Sequence, residues 1–249
     1  MILPPNISLL EVALVVGLTA VSAVLGGIAG YGTGPLMPLV LVPMVGAEPV
    51  VPIIAISSMF TNSARVSVFR EVLNIRLALI ALVAAVPTCV LGAYLYTLLS
   101  GRGAAIVIGS TLIATVPLRR ILTHLGYRLG EKGFAAAAAG WGLLVGGTSG
   151  AGVVLLSLLL AAGLEGTAVI ATDAAISIVT GIVKISVFGL AGVMTPTVIV
   201  IALLMGATGF PCTFLAKLIV TRLPVHVHTA ILDCIVVVGG AVMIFGAFA

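Results

Sequence analysis

Residues 56–69 read ISSMFTNSARVSVF and residues 175–188 read AISIVTGIVKISVF, so two stretches 119 positions apart closely resemble each other. The basic residue Arg65 recurs as Lys184. The hydroxyl residues recur as well: Ser58 as Ser177, Thr61 as Thr180 and Ser67 as Ser186. Both copies lie within long apolar runs, where a cation is costly. Internal duplication of this kind is typical of secondary transporters, so the sequence predicts a membrane protein built from two related halves.

Composition supports a membrane location over the whole chain. Of the 249 residues, 61% are hydrophobic and 7% are charged, whereas roughly a quarter are charged in soluble domains. The net charge of +4 comes from scattered basic residues, which fits membrane topology better than nucleic-acid binding. The three cysteines, Cys89, Cys212 and Cys234, lack metal-ligand spacing, and we interpret them as buried apolar residues.

The apolar runs must be helices, because lipid satisfies no backbone hydrogen bonds and no alternating barrel pattern is present. We therefore expect an all-α integral membrane protein with two repeats of about five helical segments. The predicted domains are a first repeat at 1–118, a cytoplasmic linker at 119–133 and a second repeat at 134–249. The predicted segments are 8–29, 35–45, 50–69, 76–99 and 104–118, followed by 134–147, 153–162, 167–189, 197–220 and 227–248.

The basic residues also predict the orientation of the helices. The turn with Arg70 and Arg76, and the linker at 119–133, are the richest in arginine and lysine, so both should be cytoplasmic. Counting helices from there places the N-terminus outside and makes the halves start from opposite faces, which is an inverted repeat. The first residues, MILPPN, lack the positive charge of a secretory signal, so we expect the first helix to remain in the protein.

Two glycine clusters precede the two short segments. Residues 26–34 read GGIAGYGTG and residues 146–152 read GGTSGAG. A segment of ten or eleven residues, at about 1.5 Å each, cannot cross about 30 Å of hydrocarbon, so each is a broken or re-entrant helix. Amides exposed at such a break can bind an anion. The predicted anion-binding glycines are Gly30, Gly32, Gly34, Gly150 and Gly152. Close helix packing through a GxxxG pair is the alternative.

The first glycine cluster also carries a family resemblance. The run GYGTGPLMPL at 30–39, the Ser- and Thr-bearing helix after it, Arg65 and NIR at 74–76 resemble the TauE/SafE family of sulfite and organosulfonate exporters. The GGTSGAG run is similar to that family's second copy, so the resemblance covers nearly the whole chain. Thr33 stands where the family usually has glycine, and the following proline is displaced to Pro38. The resemblance implies transport of small anions, often sulfur-containing, without a nucleotide-hydrolysing domain.

The two recurring cations are the strongest candidates for binding such an anion. Arg65 and Lys184 each lie five residues, or about 7.5 Å, inside a helix end. One interpretation is snorkelling to the interface; the other is that two cations related by inversion receive one anion from either face. The hydroxyls of Ser58, Thr61, Ser177 and Thr180 would supply hydrogen bonds, unless they bond back to their own helices.

Asp173 differs from these residues because its counterpart in the first half is Ile54. Intramembrane carboxylates tend to mark ion or proton pathways, so we predict a role in proton coupling. The alternative is a structural partner for a basic residue on another helix, such as Arg65. Eleven residues separate Asp173 from Lys184, which is about 16 Å along a helix and too far for contact.

The residues therefore favour a secondary transporter of small anions, an exporter or permease, over an enzyme, and the family resemblance implies sulfur-containing anions such as sulfite, sulfonate or sulfoacetate. No catalytic pair stands out, and His226, His228 and Asp233 do not form a metal-ligand pattern. We expect no cofactor, no metal and no nucleic-acid partner. The expected partners are the small anion and the lipid of the cell inner (plasma) membrane, and a homodimer is left open. A passive anion channel, or a transporter of another small carboxylate or inorganic anion, remains the alternative.

Overall fold

The protein was analysed as a computed structural model that describes residues 8–29, 33–124, 128–219 and 237–248. Within those ranges the chain is helical and contains no strand, which confirms the all-α prediction. The first half contains α1 (Leu9–Ala29), α2 (Thr33–Leu36), α3 (Pro38–Val45), α4 (Val50–Phe69), a 3₁₀ turn (Arg70–Val72), α5 (Ile75–Thr97) and α6 (Gly101–His124). The second contains α7 (Glu131–Gly147), α8 (Gly152–Ala161), α9 (Thr167–Leu190), α10 (Pro196–Ile219) and α11 (Val237–Gly246).

Five of these helices, α1, α5, α6, α9 and α10, are long and apolar enough to cross a membrane. The fold is therefore that of an all-α integral membrane protein with several crossings. The helix α4 has 20 residues but is not one of the five. It carries the polar residues Ser57, Asn62 and Arg65 on buried positions, so its polarity is directed into the protein and away from lipid.

Most helix boundaries agree with the sequence predictions to within a few residues, and α4 coincides with the predicted segment 50–69. The largest difference is in the predicted linker 119–133, because α6 continues to His124 and α7 begins at Glu131. Basic residues near the C-terminal end of a helix interact favourably with its dipole, and the sequence between 118 and 124 contains two arginines. The first ten residues of the predicted segment 227–248 lie outside the described residues.

The helices of the two halves pack against each other in matching pairs. The central contact is between α4 and α9. On one side α10 packs against α4 and α1, and on the other side α5 packs against α9 and α7. Since α7, α9 and α10 follow α1, α4 and α5 by about 119 residues, each of these pairs has a counterpart in the other half. The pairing agrees with a duplicated architecture, and the inversion of one half relative to the other stays a prediction.

The contact between α5 and α7 depends on small residues. A Cβ atom at Gly142 would overlap the carbonyl oxygen of Ala85, and one at Gly146 would overlap that of Cys89. The hydroxyl of Thr88 also donates a hydrogen bond to the carbonyl oxygen of Ala139 on α7 at 2.7 Å. Such close approach of two backbones is typical of membrane helix packing, and it joins α5 of the first half to α7 of the second.

Candidate functional site

A cavity of about 90 Å³ lies where α4 and α9 meet the two glycine clusters, 26–34 and 146–152, which we call the glycine breaks. We call it the central cavity. Its volume is several times the roughly 10–15 Å³ needed for one water molecule, so it has room for a small solute. The lining residues are Ile54, Ser58, Asn62 and Arg65 of α4; Asp173, Ser177, Thr180 and Lys184 of α9; and Thr33, Gly34, Pro35, Val145 and residues 148–152 around the breaks.

The two central helices present matching faces to this cavity. On α4 the lining residues Ile54, Ser58 and Arg65 are spaced by about one or two helical turns, so they share one face. The residues 119 positions later, Asp173 and Lys184 among them, line the same cavity from α9. The recurrence seen in the sequence is therefore found at the centre of the structure, where the two copies face one space.

Arg65 and Asp173 form an ion pair across the α4–α9 contact. The Nη1 atom of Arg65 lies 3.8 Å from Oδ2 of Asp173, and the residues are 4% and 2% exposed. This distance is longer than a direct hydrogen bond, so the contact is mainly electrostatic. The other carboxylate oxygen, Oδ1, has no hydrogen-bond partner among the residues that the structure describes. The structure thus places beside Asp173 the basic partner that the sequence left open.

Lys184 is also buried, with 7% of its surface exposed, but its ammonium group lacks such a partner. Among the described residues it forms no ion pair with a carboxylate and no hydrogen bond. Snorkelling would bring the charged group of a long side chain to the interface, whereas both cations line the central cavity. A buried cation without a counter-charge is costly, and an anion in the cavity would offset that cost.

The predicted hydroxyl donors divide into three groups. Ser58 and Thr180 line the cavity, but they donate their hydrogens to the carbonyl oxygens of Ala55 and Ile176 on their own helices. Ser177 lines the cavity and its hydroxyl makes no hydrogen bond within the described ranges, so this hydroxyl can donate to a ligand. Thr61 does not line the cavity. Its hydroxyl donates to the Ser58 carbonyl oxygen and its methyl group lies against Gly209 of α10.

The glycine breaks of the two halves touch each other at the edge of the cavity. A Cβ atom at Gly34 would lie 3.3 Å from the backbone nitrogen of Gly150, and the Ser149 hydroxyl donates to the Gly34 carbonyl oxygen. Gly150 has φ of 93°, a conformation that favours glycine. Trp141 stabilises the second break by donating from Nε1 to the Ala151 carbonyl oxygen at 2.9 Å.

Three of the five predicted anion-binding glycines, Gly34, Gly150 and Gly152, line the central cavity. The other two, Gly30 and Gly32, lie outside the described residues. The helix α8 begins at Gly152, so its first backbone N–H groups, which have no acceptor within the helix, start at the cavity wall.

Sequence reasoning missed several lining residues, of which Asn62 is the most important. It lies one helical turn before Arg65 within an apolar run and is 5% exposed. The position 119 residues later is Gly181, so a search for recurring residues passed over it. Thr148 and Ser149 were also missed, although their place inside the second glycine cluster was a usable signal.

Metal binding has no candidate in the described part of the chain, where no group of three histidine, cysteine, aspartate or glutamate side chains is placed to hold an ion. The residues His226, His228 and Asp233, which the sequence did not favour as a metal site, lie outside the described residues. The central cavity instead offers cationic and neutral hydrogen-bond donors around one carboxylate, which is a set suited to an anion.

Comparison with protein families gives one match over most of the chain. The family model described as Sulfite exporter TauE/SafE matches residues 12–243. No curated protein and no solved structure matches the chain significantly.

Proposed function

We propose a site and a mechanism of transport on the ground that the chain belongs to the sulfite exporter TauE/SafE family. Members of this family are membrane transporters and not enzymes, so the chain is a multi-pass membrane transporter of sulfur anions. The proposal adds that a small anion such as sulfite, a sulfonate or sulfoacetate binds in the central cavity, in a protein of the inner (plasma) membrane. It further adds that the protein works by alternating access.

The observation that carries the proposal is the buried Lys184 at the wall of the central cavity without a carboxylate partner in the described ranges. A sulfur oxyanion carries several acceptor oxygens around its sulfur and therefore needs a cation together with neutral donors. The Ser177 hydroxyl, the Asn62 amide and the N-terminus of α8 are the donors that line the same space. These groups together match the size and the chemistry of a small oxyanion.

Alternating access is supported by the way in which the two halves meet. The cavity lies between α4 of the first half and α9 of the second, and residues of the glycine breaks of both halves line it. In transporters with inverted repeats the substrate lies at such an interface, and one repeat rocks against the other to expose it to each side in turn. We propose this motion for the present chain, with the predicted inversion as its basis.

Asp173 is the group that we propose for proton coupling. Its carboxylate is buried beside Arg65 and lines the central cavity. A change in its charge would therefore change the electrostatic energy of a bound anion. Intramembrane carboxylates in transporters commonly serve as proton carriers.

Counterflow in liposomes tests the proposed function. Purified protein is reconstituted with unlabelled thiosulfate inside, and uptake of labelled thiosulfate and labelled sulfite is followed from outside. Saturable uptake that depends on the internal anion indicates a transporter, whereas an unsaturable current indicates the alternative, a passive channel. Lys184→Gln should abolish uptake, and Lys132→Gln, which changes an exposed lysine on α7, should preserve it. Undiminished uptake by Lys184→Gln would contradict the proposed site.

A further inference from the structure

We propose that Asp173 matches the number of transported protons to the charge of the anion: a dianion moves together with one proton bound to Asp173, and a monoanion moves without one. This inference rests on the proposed function, in which the central cavity holds the transported anion. It goes further because it names the charge class of the cargo and the stoichiometry for each class.

The first argument is the balance of charge in the central cavity. The ionisable lining residues in the described ranges are Arg65, Asp173 and Lys184, and their charges sum to +1 when all three are ionised. A monoanion balances that charge, since Asp173 compensates Arg65 and the anion compensates Lys184. A dianion would leave one negative charge uncompensated among buried side chains, which is unfavourable.

The second argument is the state of the Asp173 carboxylate. Its Oδ2 atom lies 3.8 Å from Arg65 Nη1, and its Oδ1 atom has no hydrogen-bond partner among the described residues. A proton from water can therefore occupy Oδ1 without breaking a hydrogen bond described for the carboxylate. The protonated carboxyl is a hydrogen-bond donor, and its negative charge no longer compensates the charge of Arg65. The cavity charge becomes +2, which balances a dianion, and the proton returns to water when the dianion leaves.

The surroundings of Asp173 identify it as the group whose protonation changes the charge. Arg65 faces it from α4, and Lys184 lines the same cavity from its own helix. The 3₁₀ turn packed against α9 carries Arg70 and Glu71, which are both exposed, and the thiol of Cys89 on α5 lies 3.9 Å from the Thr180 carbonyl oxygen. The helices α7 and α8 contribute no charged side chain to the lining.

The duplication supplies an internal control for this inference. The position that matches Asp173 in the first half is Ile54, which lines the same cavity without a charge. Among the described residues that line the cavity, one half thus provides one carboxylate and the other provides none, so these residues contain a single site for a coupled proton. A carboxylate introduced by Ile54→Asp would lower the cavity charge from +1 to zero, and a monoanion would then require one proton.

The test counts protons and anions in the same liposomes. Thiosulfate and sulfoacetate serve as dianions, methanesulfonate and isethionate serve as monoanions, and a trapped pH-sensitive dye reports the protons. We expect about one proton for each dianion and about none for each monoanion in the wild-type protein. In Asp173→Asn the dianions should enter without protons, and the preference for dianions over monoanions should rise by about ten-fold, because the cavity charge is then fixed at +2.

The matched control is Glu131→Gln, which makes the same change of carboxylate to amide in an arginine pair on the surface, and its stoichiometry should equal that of the wild type. Equal proton counts for both charge classes, or an unchanged count in Asp173→Asn, would overturn the inference. An unchanged count in Asp173→Asn would also overturn the proton coupling proposed for Asp173, but neither result would contradict the proposed anion site or the transport activity. Absence of flux for all four anions would overturn both. If Ile54→Asp does not fold, Asp173→Asn alone decides the question.

Discussion

Arg65 on α4 and Lys184 on α9 occupy matching positions 119 residues apart, and both line the central cavity. Their electrostatic surroundings differ. Arg65 has a carboxylate 3.8 Å away, whereas Lys184 forms no ion pair within the described ranges. The difference originates at a second pair of matching positions, where the first half has Ile54 and the second has Asp173. Matching positions in the two halves thus line one cavity, while a divergent position gives the two cations different electrostatic surroundings.

The comparison suggests how a cavity lined by two matching cations can have a net charge of +1 for binding an anion. If both matching cations lacked a carboxylate, the cavity would carry two buried positive charges and would be costly to form without an anion. Asp173 lies beside one of them, and we propose that the charge of Lys184 is compensated by the bound anion. We infer that Arg65 and Asp173 mainly set the net charge, while Lys184 attracts the anion.

The largest expected effect comes from Arg65→Gln. This change leaves the Asp173 carboxylate buried without the Arg65 guanidinium, and breaking a buried pair in this way costs about 3–5 kcal/mol. Thermal unfolding of the detergent-purified protein should show the loss, and anion uptake should be abolished. The double variant Arg65→Gln with Asp173→Asn should recover most of the stability, because both charges are then removed. A double variant no more stable than the single one would show that the pair is not the cause.

The matching change on α9, Lys184→Met, should have the opposite sign for stability. It removes a buried cation that has no carboxylate partner in the described ranges, and replacing buried charge by an apolar side chain is often neutral or stabilising. Binding should suffer, since loss of one partner of a buried charge pair costs about 2–5 kcal/mol. Thiosulfate at about 100 times the wild-type Kd should stabilise the wild type by about 2.7 kcal/mol and Lys184→Met by less than about 1 kcal/mol.

A conservative control separates charge from shape in this comparison. Lys184→Arg keeps the cation and should retain most of the stabilisation by thiosulfate, although the planar guanidinium is not equivalent to an ammonium group. If Lys184→Met lost as much stability as Arg65→Gln, the proposed division of tasks between the two cations would be wrong.

The sequence predicted the helices and much of the cavity, because the duplication marks both. The bounds of α4 agree with the predicted segment, and the recurring residues Ser58 and Ser177 line the same cavity as the two cations. Recurrence shows which positions are related but not which side of a helix faces the cavity. Thr61 therefore points toward α10 while its counterpart Thr180 lines the cavity.

Other features depended on residues that do not recur. Asn62 was missed because its counterpart is Gly181, and the contact between the two glycine breaks follows from tertiary packing. The closeness of Asp173 to Arg65 could be stated only as an alternative, since nothing in one sequence shows how α4 and α9 are placed along each other.

The glycine breaks extend the comparison of the two halves to the backbone. Gly150 has φ of 93°, and a Cβ atom there would lie 2.7 Å from Cδ2 of Leu112. Gly150→Ala should therefore cost about 1–3 kcal/mol of stability. At the other break, Gly34→Ala would meet the Gly150 nitrogen at 3.3 Å, which is a milder contact. The unfolding temperature of Gly150→Ala should be lower than that of Gly34→Ala. The reverse order would contradict the argument from the backbone conformation of the second break.

The smallest effect is expected at the second ion pair, and it sharpens the meaning of the first. Arg76 Nη2 lies 2.7 Å from Glu131 Oε1, closer than in the buried pair, but these side chains are 76% and 55% exposed. Exposed pairs are screened by water and salt and contribute about 0–1 kcal/mol. Arg76→Gln should therefore change thermal unfolding and anion uptake very little, although it joins α5 of one half to α7 of the other. The shorter, exposed pair is thus expected to contribute less stability than the longer, buried one. A large loss of stability in Arg76→Gln would mean that contact between the halves, and not burial of charge, decides the stability of this protein.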